Sequence, residues 1–302
     1  MSRIDELIQR LCPDGVEYKP LGDIVNILDN QRKPISKGKR IPGKIPYYGA
    51  NGIQGYVKDF IFDGIFLLIG EDGSVINKDG SPVLNWAEGK IWVNNHAHIL
   101  TEKKDIASLR FIFFFLQTYD VTPVVRGTPP KMTQQNLREI MIPVPPLPVQ
   151  KEIVRILDKF TALEAELEAE LEARRKQYEF YRDQLLTFGD EVEWKPLGKI
   201  GIIKRGTYVT KKDIVPGSIP VILGGREPAY FCNKSNHEGR AIVISRSGAY
   251  AGYISYWDQP IFVTDGFIVE AKELHNIKFI FYYLKKMQDS LHAMKRGSGV
   301  PH

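Results

Sequence analysis

Cysteine is almost absent from this chain, with two in 302 residues. Cys12 and Cys232 match no metal spacing and suggest no disulfide framework, so both read as ordinary thiols. No apolar run approaches the roughly 18 residues a membrane helix requires. Residues 1–20 carry the acidic pair Asp5 and Glu6 and lack a continuous apolar stretch. They read as a short amphipathic helix and not as a signal peptide, and the default compartment is the cytoplasm, with no membrane partner.

Catalytic signatures are missing as well. There is no Asn-Pro-Pro-Tyr motif for adenine methylation and no Gly-x-Ser-x-Gly elbow. Gly38–Ile45 begins like a phosphate-binding loop, but Ile45 stands where Ser or Thr should hold magnesium, and Pro46 disfavours a helix there. Asp14, Glu17 and Lys19 resemble a nuclease set, yet they are too close in sequence to rise from separate strands. The trio recurs as Asp190, Glu193 and Lys195, which suits a shared structural edge better than a metal site. His96 and His98 could offer two ligands from one strand face, but no third ligand is evident. No metal site and no enzyme activity are expected.

What is present is an internal repeat. Val16-Glu17-Tyr18-Lys19-Pro20-Leu21-Gly22 recurs as Val192-Glu193-Trp194-Lys195-Pro196-Leu197-Gly198. Trp92–Ile99 aligns loosely with Phe262–Val269, Arg110–Leu116 with Lys278–Leu284, and Arg126-Gly127-Thr128 with Arg296-Gly297-Ser298. Ordered anchors at a near-constant offset indicate duplication. A chain of this length suits two domains, and 43% hydrophobic with 25% charged residues suits globular ones.

Between the anchors the copies diverge. Short apolar runs such as Ile65–Ile69 and Ala241–Ile244 read as strands joined by turns. Helical patterns follow at Ala107–Tyr119 and Ile277–Leu291. The aromatics at 111, 113, 114 and 115 are assigned to the core, not to base stacking. A shared frame with a divergent middle suits modules that keep a fold and vary what they read.

The copies are separated by a rod. After Pro143–Pro148, no Pro or Gly occurs from Val149 to Thr187. At 1.5 Å per residue such a helix is about 58 Å long. Its apolar stripe runs Val149, Ile153, Ile156, Phe160, Leu163, Leu167, Leu171, Tyr178, Tyr181 and Leu185. The spacing alternates mostly between three and four, a coiled-coil seam that asks for a partner helix. A stutter enters with the tetrapeptides Thr161–Glu164, Ala165–Glu168 and Ala169–Glu172. The expected fold class is α+β: two tandem mixed α/β recognition domains separated by a long coiled-coil-type helix. The boundaries fall at 1–147, 148–188 and 189–302.

The net charge is +5, compatible with nucleic-acid binding. Its placement says more. Basic residues and tyrosines collect in turn-rich stretches: Arg32, Lys33, Lys37, Lys39, Arg40, Lys44, Tyr47 and Tyr48 in the first copy. The second copy has Lys204, Arg205, Tyr208, Lys211, Lys212, Arg226, Tyr230, Arg240, Arg246 and Tyr250. Loops of this kind meet phosphates and base edges. The candidate DNA-binding set is Arg32, Lys33, Tyr48, Asn51, Arg126, Lys131, Lys204, Arg205, Arg226, Arg246, Tyr250 and Arg296.

The Met1–Gly22 segment, the repeated Val-Glu-(Tyr/Trp)-Lys-Pro-Leu-Gly anchors, Ile142–Asp158 and the Leu-Glu-Ala-Glu spacer resemble the specificity subunits of Type I restriction–modification enzymes. The resemblance implies two target recognition domains that read a split site in double-stranded DNA. It implies two long helices that pair antiparallel and dock methyltransferase subunits. S-adenosylmethionine, ATP and Mg would then belong to the methyltransferase and the restriction/translocase subunits, with no cofactor in this chain. By the repeat, a second long helix is expected after Arg296-Gly297-Ser298 and is missing. The seam is therefore expected to pair with a second copy or another specificity chain. The competing expectation is a regulatory fragment that associates with methyltransferase without full DNA recognition.

Overall fold

The computed structural model describes residues 3–209, 215–272, 275–295 and Gly297. The chain divides into two compact units, Met1–Leu167 and Glu168–His302.

Unit 1 opens with α1 (Arg3–Leu11), then β1 (Tyr18–Pro20) and the single turn α2 (Leu21–Ile24). Next come β2 (Val25–Ile27), β3 (Pro42–Gly49), β4 (Gly52–Val57), β5 (Phe62–Gly70), β6 (Leu84–Val93) and β7 (Ala97–Glu102). These six form one sheet in the order β2-β7-β5-β6-β3-β4. All neighbours are antiparallel except β3 and β6, which run parallel through Tyr47↔Trp92 and Tyr48↔Val93. The apolar run Ile65–Ile69 falls in β5, and Phe66–Ile69 are buried, as a central strand covered on both faces requires. Ala50-Asn51 forms the two-residue β3–β4 turn, where Gly52 takes φ +84° at no steric cost.

One face of the sheet carries α3 (Leu109–Leu116) and α4 (Gln134–Arg138), whose apolar sides join Leu21, Ile24, Leu67, Ile69 and Leu100 in one core. Helix α3 is shorter than the pattern Ala107–Tyr119 suggests. The amides of Thr118 and Tyr119 reach back only three residues, to Phe115 and Leu116, and tighten the last turn. Phe111 is buried, and Phe113 meets Trp86 edge-on, so these rings serve packing. The short β8 (Met141–Pro143) returns to pair with β1 through Tyr18↔Pro143.

The long helix is α5 (Leu147–Leu185), 39 residues, with the unit boundary inside it. It begins two residues before the expected Val149. Pro148 sits in the first turn, where its missing N–H leaves nothing unpaired. Its start is anchored in unit 1. Gln150 Oε1 accepts from the Ser108 amide at 2.9 Å, Arg110 donates to Asp158 at 2.8 Å, and Val149 is buried. Ile153 belongs to this core and not to the free seam, and Ile156 is half-buried. From Phe160 onward the stripe is bare: Phe160, Leu163, Leu167, Leu171, Tyr178, Tyr181 and Leu185 are all exposed.

Unit 2 repeats the frame with α6 (Leu197–Ile200), β9 (Gly201–Arg205), β10 (Ile219–Ile222), β11 (Tyr230–Cys232), β12 (Arg240–Ser245), β13 (Ile254–Asp258), β14 (Phe262–Val263) and β15 (Gly266–Ala271). Among the described residues the strands form two sheets, β13-β12-β15-β9 and β11-β10-β14. The parallel pair β10–β14 joins Val221↔Phe262 and Ile222↔Val263. Phe262 and Val263 thus do what Trp92 and Val93 do in unit 1, as the sequence alignment requires. The helical pattern Ile277–Leu291 is broken at Met287 into α7 (Ile277–Lys286) and α8 (Gln288–Ala293). At the break, Gln288 turns its side-chain oxygen to Lys285 Nζ at 2.6 Å and to the Ile254 amide at 3.3 Å.

Candidate nucleic-acid interface

The repeated Lys-Pro-Leu-Gly corner is built twice to the same plan. Pro20 has φ −58° and ψ 138°, and Pro196 has φ −55° and ψ 143°. The caps match as well: Val25 at −130° and 161°, Gly201 at −131° and 159°. Lys19 pairs with Glu17 at 3.1 Å and Lys195 with Glu193 at 3.0 Å. Each lysine is therefore occupied by the glutamate two residues before it.

Several candidate DNA residues are spent elsewhere. Arg32 is a correction. Its guanidinium lies 2.5 Å from Glu71 and donates to the carbonyls of Asp29 and Ala97 at 2.9 Å. Its side chain is 14% exposed, so its fork faces inward and not toward a duplex. Tyr48 is a second correction. It is buried on β3 among Phe62, Phe66, Ile91 and Val93, and burial pushes its hydroxyl above the ordinary tyrosine range, with Tyr56 adding to the effect. Tyr47 is buried too, with Arg40 stacked 3.9 Å over its ring and its hydroxyl within 3.0 Å of the Ile35 amide. Tyr47 and Tyr48 occupy adjacent positions on β3, so their rings lie on opposite faces, and both are buried.

Other candidates stay at the surface. Asn51 is exposed at the tip of the β3–β4 turn, and Lys33 is half-exposed, its carbonyl accepting from Trp92 Nε1 at 2.6 Å. Arg126 and Lys131 flank an exposed loop, and their backbones exchange hydrogen bonds of 3.0 and 2.7 Å. In unit 2, Lys204 pairs with Glu270 at 2.7 Å and Arg246 with Asp265 at 2.6 Å. Arg205 ends β9 exposed. Arg226 lies 5.0 Å over the ring of Tyr250, which is itself 44% exposed, and no acceptor meets its fork among the described residues. A guanidinium placed over an aromatic ring with its donors free is suited to bidentate contact with guanine or phosphate. Lys211, Lys212 and Arg296 lie outside the described residues.

Sequence reasoning missed a buried charge cluster beneath the Arg126–Lys131 loop. His98 is fully buried, and its Nδ1 lies 2.6 Å from Asp29 Oδ2. Gln134 donates to Asp29 at 2.8 Å, and so does the Ile99 amide at 3.0 Å. Burial alone would raise the Asp29 carboxyl; hydrogen bonds from His98, Gln134 and Ile99 outweigh it and hold the group below the ordinary range. Asp29, Glu71 and His98 could converge on a metal ion. Arg32 already supplies a cation to both carboxylates there, at 2.5 Å from Glu71 and 3.8 Å from Asp29. His96 takes a different carboxylate, Asp72. The two histidines therefore face different carboxylates.

Comparison with known proteins agrees with this duplicated, loop-bearing frame. Residues 13–173 and 189–302 match the Type I restriction modification DNA specificity domain. A type I restriction enzyme specificity subunit of Haemophilus influenzae is 36% identical over 299 residues, covering 90% of this chain and 77% of that protein. One from Escherichia coli is 35% identical over 245 residues, covering 74% of this chain and 58% of that protein. The crystal structure of a Type I restriction–modification S subunit from M. genitalium superposes with a TM-score of 0.68 at 19% identity, over 92% of this chain and 79% of that one. With its family model covering both copies, the chain belongs to the Type I restriction–modification DNA specificity subunits.

Proposed function

We propose that this chain is the address-reading, non-catalytic subunit of a Type I restriction–modification enzyme. Unit 1 reads one part of a split double-stranded DNA target and unit 2 reads the other. Helix α5 sets the gap between them. The observation that carries this reading is the corner built twice, with matching dihedrals and matching ion pairs, at the start of each copy. A repeated frame with different exposed basic loops is what two readers of different short sequences need.

The partners in this reading are methyltransferase subunits, which bring S-adenosylmethionine, and a restriction/translocase subunit, which brings ATP and Mg. The bare α5 stripe from Phe160 to Leu185 supports pairing with another helix, in a second copy or in another specificity chain. Co-expression with a cognate methyltransferase subunit and mapping of methylated adenines tests the reading. A split motif is expected. Methylation with no sequence preference, or at one contiguous motif, would overturn it.

A further inference from the structure

The Arg126–Lys131 loop rests on the buried cluster through five separate contacts. His98 Nε2 donates to the Met132 carbonyl at 2.9 Å. The Met132 amide donates to the Glu71 carbonyl at 2.8 Å, and the Gly73 amide to the Pro130 carbonyl at 3.0 Å. Lys131 Nζ lies 3.3 Å from Glu71 Oε1. Gln134, which opens α4, donates to Asp29. Met132 is itself fully buried and plugs the core beneath the loop.

His98 is held from both sides, its Nδ1 2.6 Å from Asp29 Oδ2 and its Nε2 2.9 Å from the Met132 carbonyl. Around it, Arg32 and Lys131 stand against Asp29 and Glu71, in a site where His98 and Asp29 are almost fully enclosed. Glu71 is divided between two cations, Oε2 to Arg32 and Oε1 to Lys131. Such a network has few alternative arrangements, because any displacement leaves a buried charge unpaired.

We infer that His98, Asp29, Glu71 and Arg32 form a positioning cluster that fixes the Arg126–Lys131 loop for reading the unit 1 part of the DNA target. Arg126 and Lys131 are the groups that meet DNA; the cluster acts through them, by holding the loop backbone in one register. This rests on the recognition role proposed above. It assigns to Arg32 the opposite duty from the one its place in a basic stretch suggests: it faces the network and not the duplex.

Two variants test the inference, His98→Ala and the nearly isosteric Glu71→Gln, which keeps the fold if the first does not. The full chain is first digested briefly with trypsin and the fragments are mapped. Cleavage after Arg126 and after Lys131 should speed up about tenfold in each folded variant, with other cleavage sites unchanged. The same variants, co-expressed with the methyltransferase subunit, should relax discrimination at the unit 1 half-site about tenfold and leave the other half-site intact. A general loss of folding would weaken both half-sites together. Unchanged cleavage at both bonds in a folded variant overturns the inference, and so does faster cleavage with undiminished discrimination at the unit 1 half-site. Failure of the recognition reading is seen separately, in the unmodified chain, as methylation without a split motif.

Discussion

The same corner sits in two different settings. In unit 1, Leu21 and Ile24 are fully buried beneath Leu137, Ile140 and Ile142. The Leu21 amide donates to Ile140 at 2.8 Å, and β1 pairs with β8. In unit 2 the matching Leu197 and Ile200 are only half-buried, and no strand pairs with residues 193–196 among the described residues. Beside them is an open cavity of about 400 Å³, lined by Phe188, Val192, Trp194, Ile200, Phe279 and Tyr283. One local sequence therefore folds to one backbone shape whether or not it is covered. The proline-fixed φ and the local ion pair are enough to set the shape. Cover decides what the shape contributes to stability.

The loops differ in the same sense. Unit 1 anchors its loop on charges that are nearly enclosed, with the Asp29 side chain 4% exposed. Unit 2 holds Arg246 to Asp265 at a wetter place, with side chains 33% and 23% exposed. Asp29→Ala should accordingly cost unit 1 about 3–5 kcal/mol, the range for removing one partner of a buried ion pair. Asp265→Ala should cost unit 2 about 1 kcal/mol or less. Hydrogen exchange, resolved by unit, measures both; equal losses would break the comparison.

Cover predicts the next largest difference. Leu21→Ala removes a fully buried side chain and should destabilise unit 1 by about 2–4 kcal/mol. Leu197→Ala, half-buried, should cost about 1 kcal/mol. Denaturant unfolding of the two variants gives the ratio.

Acid sharpens the contrast further. The folded Asp29 carboxyl lies below its unfolded value, so its contribution is complete above the ordinary carboxylate pKa of about 3.9. It is lost as the pH falls from there through the folded value. Unit 1 should therefore lose exchange protection in that acid window in the unmodified chain, and the Asp29→Asn variant should not show the same step. The exposed arginines test binding and not folding. Arg205→Ala and Arg226→Ala should each weaken the unit 2 half-site by about 1–3 kcal/mol and leave the other half-site unchanged, as read by binding to targets altered in one half.

Much of this architecture was legible in the sequence because it is written in short-range patterns. The corner repeats within seven residues, and α5 is marked by the absence of Pro and Gly from Val149 to Thr187. The strands around Ile65–Ile69 and Ala241–Ile244 carry continuous apolar runs. The unit 1 lock was not legible. Asp29, Glu71 and His98 are separated by 42 and 27 residues and belong to a short 3-10 turn, the residue after β5, and β7. Only the sheet order brings them together. Arg32 and Tyr48 were misplaced for a related reason. A basic or tyrosine-bearing turn looks alike from sequence whether its side chains face solvent or core, and here the covering groups, Glu71 and Phe66, come from β5 and the residue after it. Ile153 was assigned to the seam by its spacing, which cannot show that the first turns of α5 are already packed on unit 1.

The most direct measurement deletes one tetrapeptide, Ala165–Glu168, from α5 and maps methylated adenines in DNA after co-expression with the methyltransferase subunit. At 1.5 Å per residue the helix shortens by about 6 Å, against about 3.4 Å per base pair. The account predicts that both half-sites keep their sequences and that the gap between them shrinks by one or two base pairs. An unchanged gap, or altered half-site sequences at the original gap, would contradict it.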